Sequence, residues 1–204
     1  MKHKTTLIVR GGGDLASGVI HRLYKCGYQV LVLECAKPSA IRRRVSFGEA
    51  VYDGTSRVEG VTGRLIKDIS ECRKVWDEKE IPILVDENAD TVSELKPDAL
   101  IDAILAKKNL GTTRMMAPLT IGLGPGFTAR VDVDYVVETQ RGHNLARVIE
   151  KGTAAPNTGI PGMIAGYGKE RVIHSPAAGM IHNYSEIGDI VEKDQIIAMV
   201  DETP

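Results

Sequence analysis

The chain has 204 residues, 43% of them hydrophobic and 26% charged, enough to bury a core in one large domain or, as expected here, two small ones. Lys+Arg 26 against Asp+Glu 27 leave a net charge of -1, so no global field draws the protein to nucleic acid or to an anionic membrane, and any basic site is local. No apolar run has the length of a membrane span, "MKHKTT" leads into a strand without a signal-peptide stretch, and Cys26, Cys35 and Cys72 lack CxxC spacing; a cytoplasmic protein without a disulfide framework or zinc ribbon is expected.

"TLIVR" reads as a short buried strand ending at three glycines, and Leu15, Ala16, Val19, Ile20, Leu23 and Tyr24 then recur at the spacing of one helix face, closed by Gly27. "QVLVLE" is too short for a helix and rich in β-branched residues, so it completes a βαβ unit. Ser46 and Glu49 have capping-box spacing ahead of a short helix over "GEAVYD". A helix over "ISECRKVWDEKE" follows, then the strands "IPILVD", "PDALIDAIL" and "PLTIGLG". This is an α/β pattern, a Rossmann-like parallel sheet of about five strands over residues 1–126.

Beyond Gly126 the pattern changes. Val131, Val133, Tyr135 and Val137 alternate with Arg130, Asp132 and Asp134, the period of a half-exposed strand, and a glycine- and proline-rich stretch follows, so 127–168 is a connecting segment. Residues 169–204 read as short strands with glycine turns, a small β module resembling half of a biotinyl/lipoyl-type barrel-sandwich hybrid. The carrier-lysine hairpin is missing, so no swinging arm is expected, and His174 and His182 tie to no ligand set.

Gly11, Gly13 and Ala16 satisfy G-x-G-x-x-G/A with a strand before and a helix after. Gly11 permits the tight turn, Gly12 lies between, and Gly13 leaves room for a pyrophosphate at the positive end of the helix. Glu34, 23 residues after Gly11, stands where a ribose-binding acid belongs and favours a free 2′-hydroxyl. Asp14 would occupy the anion position itself, and its plain role is N-cap. Two readings stay open: a nucleotide binds with Asp14 turned away, or the turn no longer holds phosphate.

Arg42 and Arg43, just past the second strand, are candidate clamps for a phosphate or carboxylate, with Arg44 left outside. Gly122, Gly124 and Gly126 precede a strand, so they form no second dinucleotide turn but allow a close approach of a ligand or neighbouring chain. "ETQRGHNL" places Glu138, Arg141 and His143 within six residues: an acid, an anion clamp and a group titrating near neutrality. Surface salt bridging is the alternative for that cluster. No His/Cys/Asp group has metal-ligand spacing, so no metal is expected.

Taken together, "RGGGDLASGVIHRL", "KPSAIRRRVSFGEAVYDG", "IGLGPGFTARVDVDYVVETQRGHNL", "NTGIPG" and the "SPAAGMI…IGDIV" tail resemble the YqeB family, accessory proteins of selenium-dependent molybdenum hydroxylase systems. The resemblance spans nearly the whole chain. It implies a role in maturing a molybdenum hydroxylase, with the apoenzyme as partner, and carries over Gly11, Gly12, Gly13, Asp14, Arg42, Arg43, Arg141 and His143 as site residues. The ligand is then a phosphate-bearing small molecule: NAD, another nucleotide such as ATP or CTP, or the molybdopterin cofactor. The alternatives are an NAD-dependent oxidoreductase or a selenium/sulfur-transfer enzyme using Cys35, and an interaction-only scaffold. Family members continue past a tail like "AMVDETP", which implies a short member or a shortened chain; the apolar surface so left would suit a partner or a second copy.

Overall fold

The computed structural model describes residues 5–159, 163–168 and 172–203 and divides into two units, 1–157 and 158–204. Residues 160–162 and 169–171, parts of the glycine- and proline-rich segment and of the opening of the expected β module, lie outside the described residues.

The first unit opens with β1 (Thr6–Arg10), α1 (Asp14–Lys25) and β2 (Gln29–Glu34). Helix α1 ends as its sequence demands. Gly27 takes φ +90° and donates to Tyr24 O at 2.9 Å while Tyr28 donates to Leu23 O at 3.4 Å, so the last carbonyls are satisfied in a Schellman pattern. Next come α2 (Ala50–Asp53), the hairpin strands β3 (Thr55–Val58) and β4 (Val61–Ile66), α3 (Cys72–Asp77), β5 (Ile81–Val85), α4 (Thr91–Leu95) and β6 (Ala99–Asp102). The unit closes with β7 (Thr120–Leu123), β8 (Thr128–Ala129), β9 (Tyr135–Val137), β10 (Val148–Ile149) and β11 (Gly152–Thr153).

One nine-stranded sheet has the order β10-β9-β7-β6-β1-β2-β5-β4-β3. Its interior pairs are parallel, and only the edge strands β3 and β10 run antiparallel. The architecture is α/β, a large, mostly parallel sheet flanked by helices, as expected. The sheet is larger than the five strands expected, because the β3–β4 hairpin, β9 and β10 join it. The last two fall inside the segment 127–168 expected to be a connection.

The strands are buried on both faces, and this produces their continuous apolar runs. Leu7, Val9, Val30 and Val32 pack with Ala16 and Ile20 of α1 and with Phe47 and Ala50. On the other face Ile8, Leu31, Leu33 and Leu100 pack against Cys72, Val75 and Val92, with Ile69 and Trp76 beside them. Each fully buried aliphatic side chain contributes about 1.5–3 kcal/mol. Leu15, expected on the core face of α1, is instead 54% exposed.

Two local expectations are corrected. The helix after Ser46 forms as a 3₁₀ turn, Phe47–Glu49, running into α2, but Ser46 makes no cap; its hydroxyl donates to Arg42 O at 2.9 Å. A true capping box stands at Asp68 and Glu71 instead. The alternation over 131–137 fails as well. Only Tyr135–Val137 is strand, Arg130 turns with φ +69°, Val131 is 69% exposed, and both Val133 and Val136 are buried, because β9 sits inside the sheet with cover on both faces.

In the second unit β12 (Ile181–Asn183) pairs antiparallel with β13 (Ala198–Val200). Val200 is its one buried large apolar residue among those described, whereas Ile173, Met180, Ile181, Tyr184, Ile190 and Ile196 are all exposed. Among the described residues no helix is long and apolar enough to cross a membrane.

Candidate functional site

Strand β1 has β2 on one side and β6 on the other, and the chain leaves β1 towards β2 but reaches β6 only after β5. The loops after β1 and β6 therefore diverge at the carboxyl ends of the strands, where open α/β sheets hold ligands.

At this edge Arg10 and Asp102 sit opposite each other in register. Both side chains are 2% exposed, and Arg10 Nη1 lies 3.6 Å from Asp102 Oδ2. Thr112 joins them: its hydroxyl accepts from Arg10 Nη1 at 2.6 Å and donates to Asp102 Oδ2 at 2.6 Å. Arg10 Nη2 donates to Glu87 O at 2.8 Å and Leu110 O at 3.3 Å. The floor of the crevice is thus a buried polar network that ties the loop after β6 to the sheet. Nothing in the local pattern of "TLIVR" marks Arg10 as buried.

The glycine turn lies on that floor. Gly11, at φ +92°, donates to Leu33 O at 2.7 Å, and a Cβ there would stand 2.9 Å from Ile104 Cα. Gly12 is the tightest against the following segment: its N–H donates to Glu34 Oε2 at 2.7 Å, its carbonyl accepts from Gly48 N at 2.8 Å and Ser17 Oγ at 3.1 Å, and a Cβ would meet Gly48 N at 2.8 Å. Around Gly13 there is open space, with nothing within 4 Å of its Cβ position.

Gly13, not Asp14, is the N-cap of α1, and this corrects the role expected for Asp14. Asp14 is the first helical residue; its Oδ1 accepts from Leu15 N at 2.9 Å and its Oδ2 pairs with Arg42. Among the described residues no acceptor is recorded for the N–H groups of Gly13, Asp14 and Ala16. They remain able to donate to the oxygens of an anion.

Glu34 closes the turn from the β2 side. Its Oε2 holds Gly12 N and its Oε1 holds Cys35 N, both at 2.7 Å, so its first structural task is fixing the glycine backbone. Each carboxylate oxygen keeps a further acceptor site. Burial first, then the carboxylates of Glu34 and Glu87, push the Cys35 thiol above its ordinary value, the reverse of an activated nucleophile.

Segment 35–49 folds back over the turn. Ser17 Oγ, fully buried, accepts from Phe47 N at 2.8 Å, so one hydroxyl links Gly12 to this segment. Arg42 faces Asp14; Arg43 lines a cleft of about 500 Å³ together with Pro38, Ile41, Glu49 and Tyr52. Neither Ser17 nor the Arg10 network stands out in the sequence, where Glu49 reads only as the second half of a capping box with Ser46.

Arg141 and His143 are exposed, and no hydrogen bond or ion pair to Glu138 is recorded for either among the described residues. Their turn follows β9, three strands from β1 and so about 14 Å across the sheet. Glu138 is buried and accepts from Thr139 N, Gln140 N and Ala155 N at 2.7–2.8 Å. Burial raises its carboxyl, but these N–H groups outweigh that and hold it below the ordinary range. The expected cluster is therefore a structural acid beside two exposed side chains. The close approaches at Gly122, Gly124 and Gly126 are likewise internal, to the Phe127 ring, Thr139 and the Lys108 backbone.

Among the described residues no group of three His, Cys, Asp or Glu is placed to hold a metal ion. The chain is 49% identical over 196 residues to the uncharacterized protein YqeB of Escherichia coli (strain K12), a match that covers 96% of this chain and 36% of that protein. It therefore spans about a third of the relative's length, and the likeness supports the resemblance to the YqeB family. No family model and no solved structure matches.

Proposed function

We propose that the protein binds a phosphate-bearing ligand at the glycine turn and serves as a cytoplasmic accessory protein in maturing a selenium-dependent molybdenum hydroxylase. One observation carries the ligand reading: the N–H groups of Gly13, Asp14 and Ala16 lack recorded acceptors at the start of a 12-residue helix, at the switch point of the sheet, with Arg42 alongside. Arg42 neutralises Asp14, so the carboxylate does not by itself exclude a second anion, and the open space at Gly13 is where a pyrophosphate would approach. NAD, another nucleotide and the molybdopterin cofactor all satisfy this donor set. Glu34 retains acceptor sites for a sugar hydroxyl. The maturation role rests on the family resemblance, and the apoenzyme is the partner it implies.

Calorimetric titration with NAD, ATP, CTP and a molybdopterin preparation, each repeated on Gly13→Val, tests the reading. One ligand whose binding the variant abolishes supports it; absence of binding by all four refutes it.

A transfer enzyme using Cys35 is weakened by the raised thiol, and Cys35→Ser with maturation unchanged would remove it. An interaction-only role is favoured by a different observation, the exposed apolar side chains of 158–204. Deletion of 169–204 with hydroxylase binding unaltered would count against that role.

A further inference from the structure

The hairpin of the second unit has one outer edge occupied and one open. Tyr184 N donates to Ile197 O and Asp201 N to Met180 O, both at 2.9 Å, and β12 meets β13 in the register Ile181–Val200, His182–Met199, Asn183–Ala198. Antiparallel pairs alternate between those that exchange hydrogen bonds and those that do not. The bonded positions on this side are therefore Met180, His182 and Tyr184, and the N–H and C=O groups of Ile181 and Asn183 point away from β13. On the outer edge of β13, Val200 N donates to Thr203 O at 2.7 Å and Val200 O accepts from Thr203 N at 2.9 Å. On the outer edge of β12 no hydrogen bond from another described residue meets Ile181 or Asn183, and Ile181, His182 and Asn183 are all exposed.

Nothing guards this open edge. Strand edges are commonly blunted by lysine, proline or a bulge, yet Met180–Tyr184 contains no Lys, Arg, Asp or Glu and no proline. Two strands alone are marginally stable in water, whereas three or more with an apolar face hold together. The hairpin is short of such cover: among the described residues of its unit Val200 is the one buried large apolar side chain, and Met180, Ile181 and Tyr184 are 67%, 57% and 66% exposed.

We propose that β12 pairs antiparallel with β12 of a second copy of this chain across a two-fold axis at His182, joining the two hairpins into one sheet in the order β13-β12-β12-β13. With His182 opposite its own copy, Ile181 of each chain pairs with Asn183 of the other, and each such pair exchanges two main-chain hydrogen bonds. Moving the axis to Ile181 or to Asn183 would pair the other residue outside β12, so this register alone uses the whole open edge. It also sets Met180 of each copy opposite Tyr184 of the other, a thioether against an aromatic ring, so apolar groups that are exposed in one copy cover one another. The seam carries no acid or lysine, so no like charges meet across it; the six acids of 172–203, against Lys193 alone, all lie outside 180–184 and repel only at longer range. The contact is isologous and closes as a dimer. It involves none of the residues of the glycine turn and stands or falls independently of the phosphate reading.

The test is sedimentation equilibrium of the 204-residue protein over a range of concentrations and salt, with circular dichroism to verify the folding of each variant. The expected result is a reversible monomer–dimer equilibrium that tightens as salt is added, because screening relieves the repulsion between the acids of the two copies. Asn183→Pro removes one outward N–H from each copy and no bond to β13, so dimerisation weakens about 10- to 100-fold, as loss of two main-chain bonds does. A charge swap decides the matter where proline disturbs the hairpin itself. His182→Glu and His182→Lys each set like charges opposite at the axis and weaken their own dimers, and an equal mixture of the two recovers association through the opposite charges. A monomer at every concentration, an association weakened by salt, a dimer indifferent to Asn183→Pro, or no recovery on mixing the two His182 variants overturns the proposal.

Discussion

Replacing Arg10 by methionine removes a buried cation while keeping most of its apolar stem. Arg10 holds four acceptors: Thr112 Oγ1, Glu87 O, Leu110 O and, at 3.6 Å, Asp102 Oδ2. After the change the Asp102 carboxylate, its side chain 2% exposed, retains among the described residues only the Thr112 hydroxyl and the Ile104 N–H, at 2.6 Å and 3.2 Å. Removing one partner of a buried pair costs about 3–5 kcal/mol. With a urea dependence of about 2 kcal/mol per molar, the unfolding midpoint falls by about 1.5–2.5 M. Asp102→Leu added to Arg10→Met removes the stranded charge, so the double variant is more stable than Arg10→Met alone, and the cycle isolates the coupling. The assay is equilibrium urea unfolding followed by circular dichroism. A loss under about 1 kcal/mol for Arg10→Met, or a double variant no better than the single, refutes the claim that this pair anchors the loop after β6.

Gly12→Ala loses about 1–3 kcal/mol, because its Cβ would meet the Gly48 backbone at 2.8 Å, whereas Gly13→Val, with open space around it, stays within about 1 kcal/mol of wild type; thermal melts separate the two. Glu138→Gln costs about 1–3 kcal/mol at neutral pH, since the amide cannot accept from all three N–H groups. The folded carboxyl is depressed, so its stabilisation is full above its ordinary value of 4.5 and is lost as pH falls through the lowered value; the variant and wild-type stability curves converge in acid. In a timed alkylation read by mass spectrometry near neutral pH, exposed Cys26 reacts before Cys35, and buried Cys72, pushed up to about 12, reacts last. Fastest labelling of Cys35 would contradict its assignment as a raised thiol.

The fold was legible where each residue's neighbours along the chain decide its environment. Ala16 and Ile20 of α1, the Gly27 terminus and the apolar strands "TLIVR" and "QVLVLE" read correctly, because helix period and two-sided burial are properties of short windows. Val131 to Val137 misread for the same reason. Alternation signals a strand covered on one face, and the placing of β9 between β7 and β10 is invisible within the window. The β3–β4 hairpin was missed, although Glu59 and Gly60 at its turn both take positive φ.

For the site, sequence alone determined which chemistry is present: a glycine turn between strand and helix, an acid at the end of β2, and arginines after it. Tertiary structure decided what each group faces. Glu34 meets Gly12 across 22 positions because β2 pairs directly with β1, and Arg42 meets Asp14 across 28 because the segment after β2 folds back over the turn. Arg141 and His143 stand apart because β6 and β7 intervene between their strand and β1. Partner choice follows strand order and loop return, which balance long-range burial over the whole sheet, and no local spacing of residues encodes that balance.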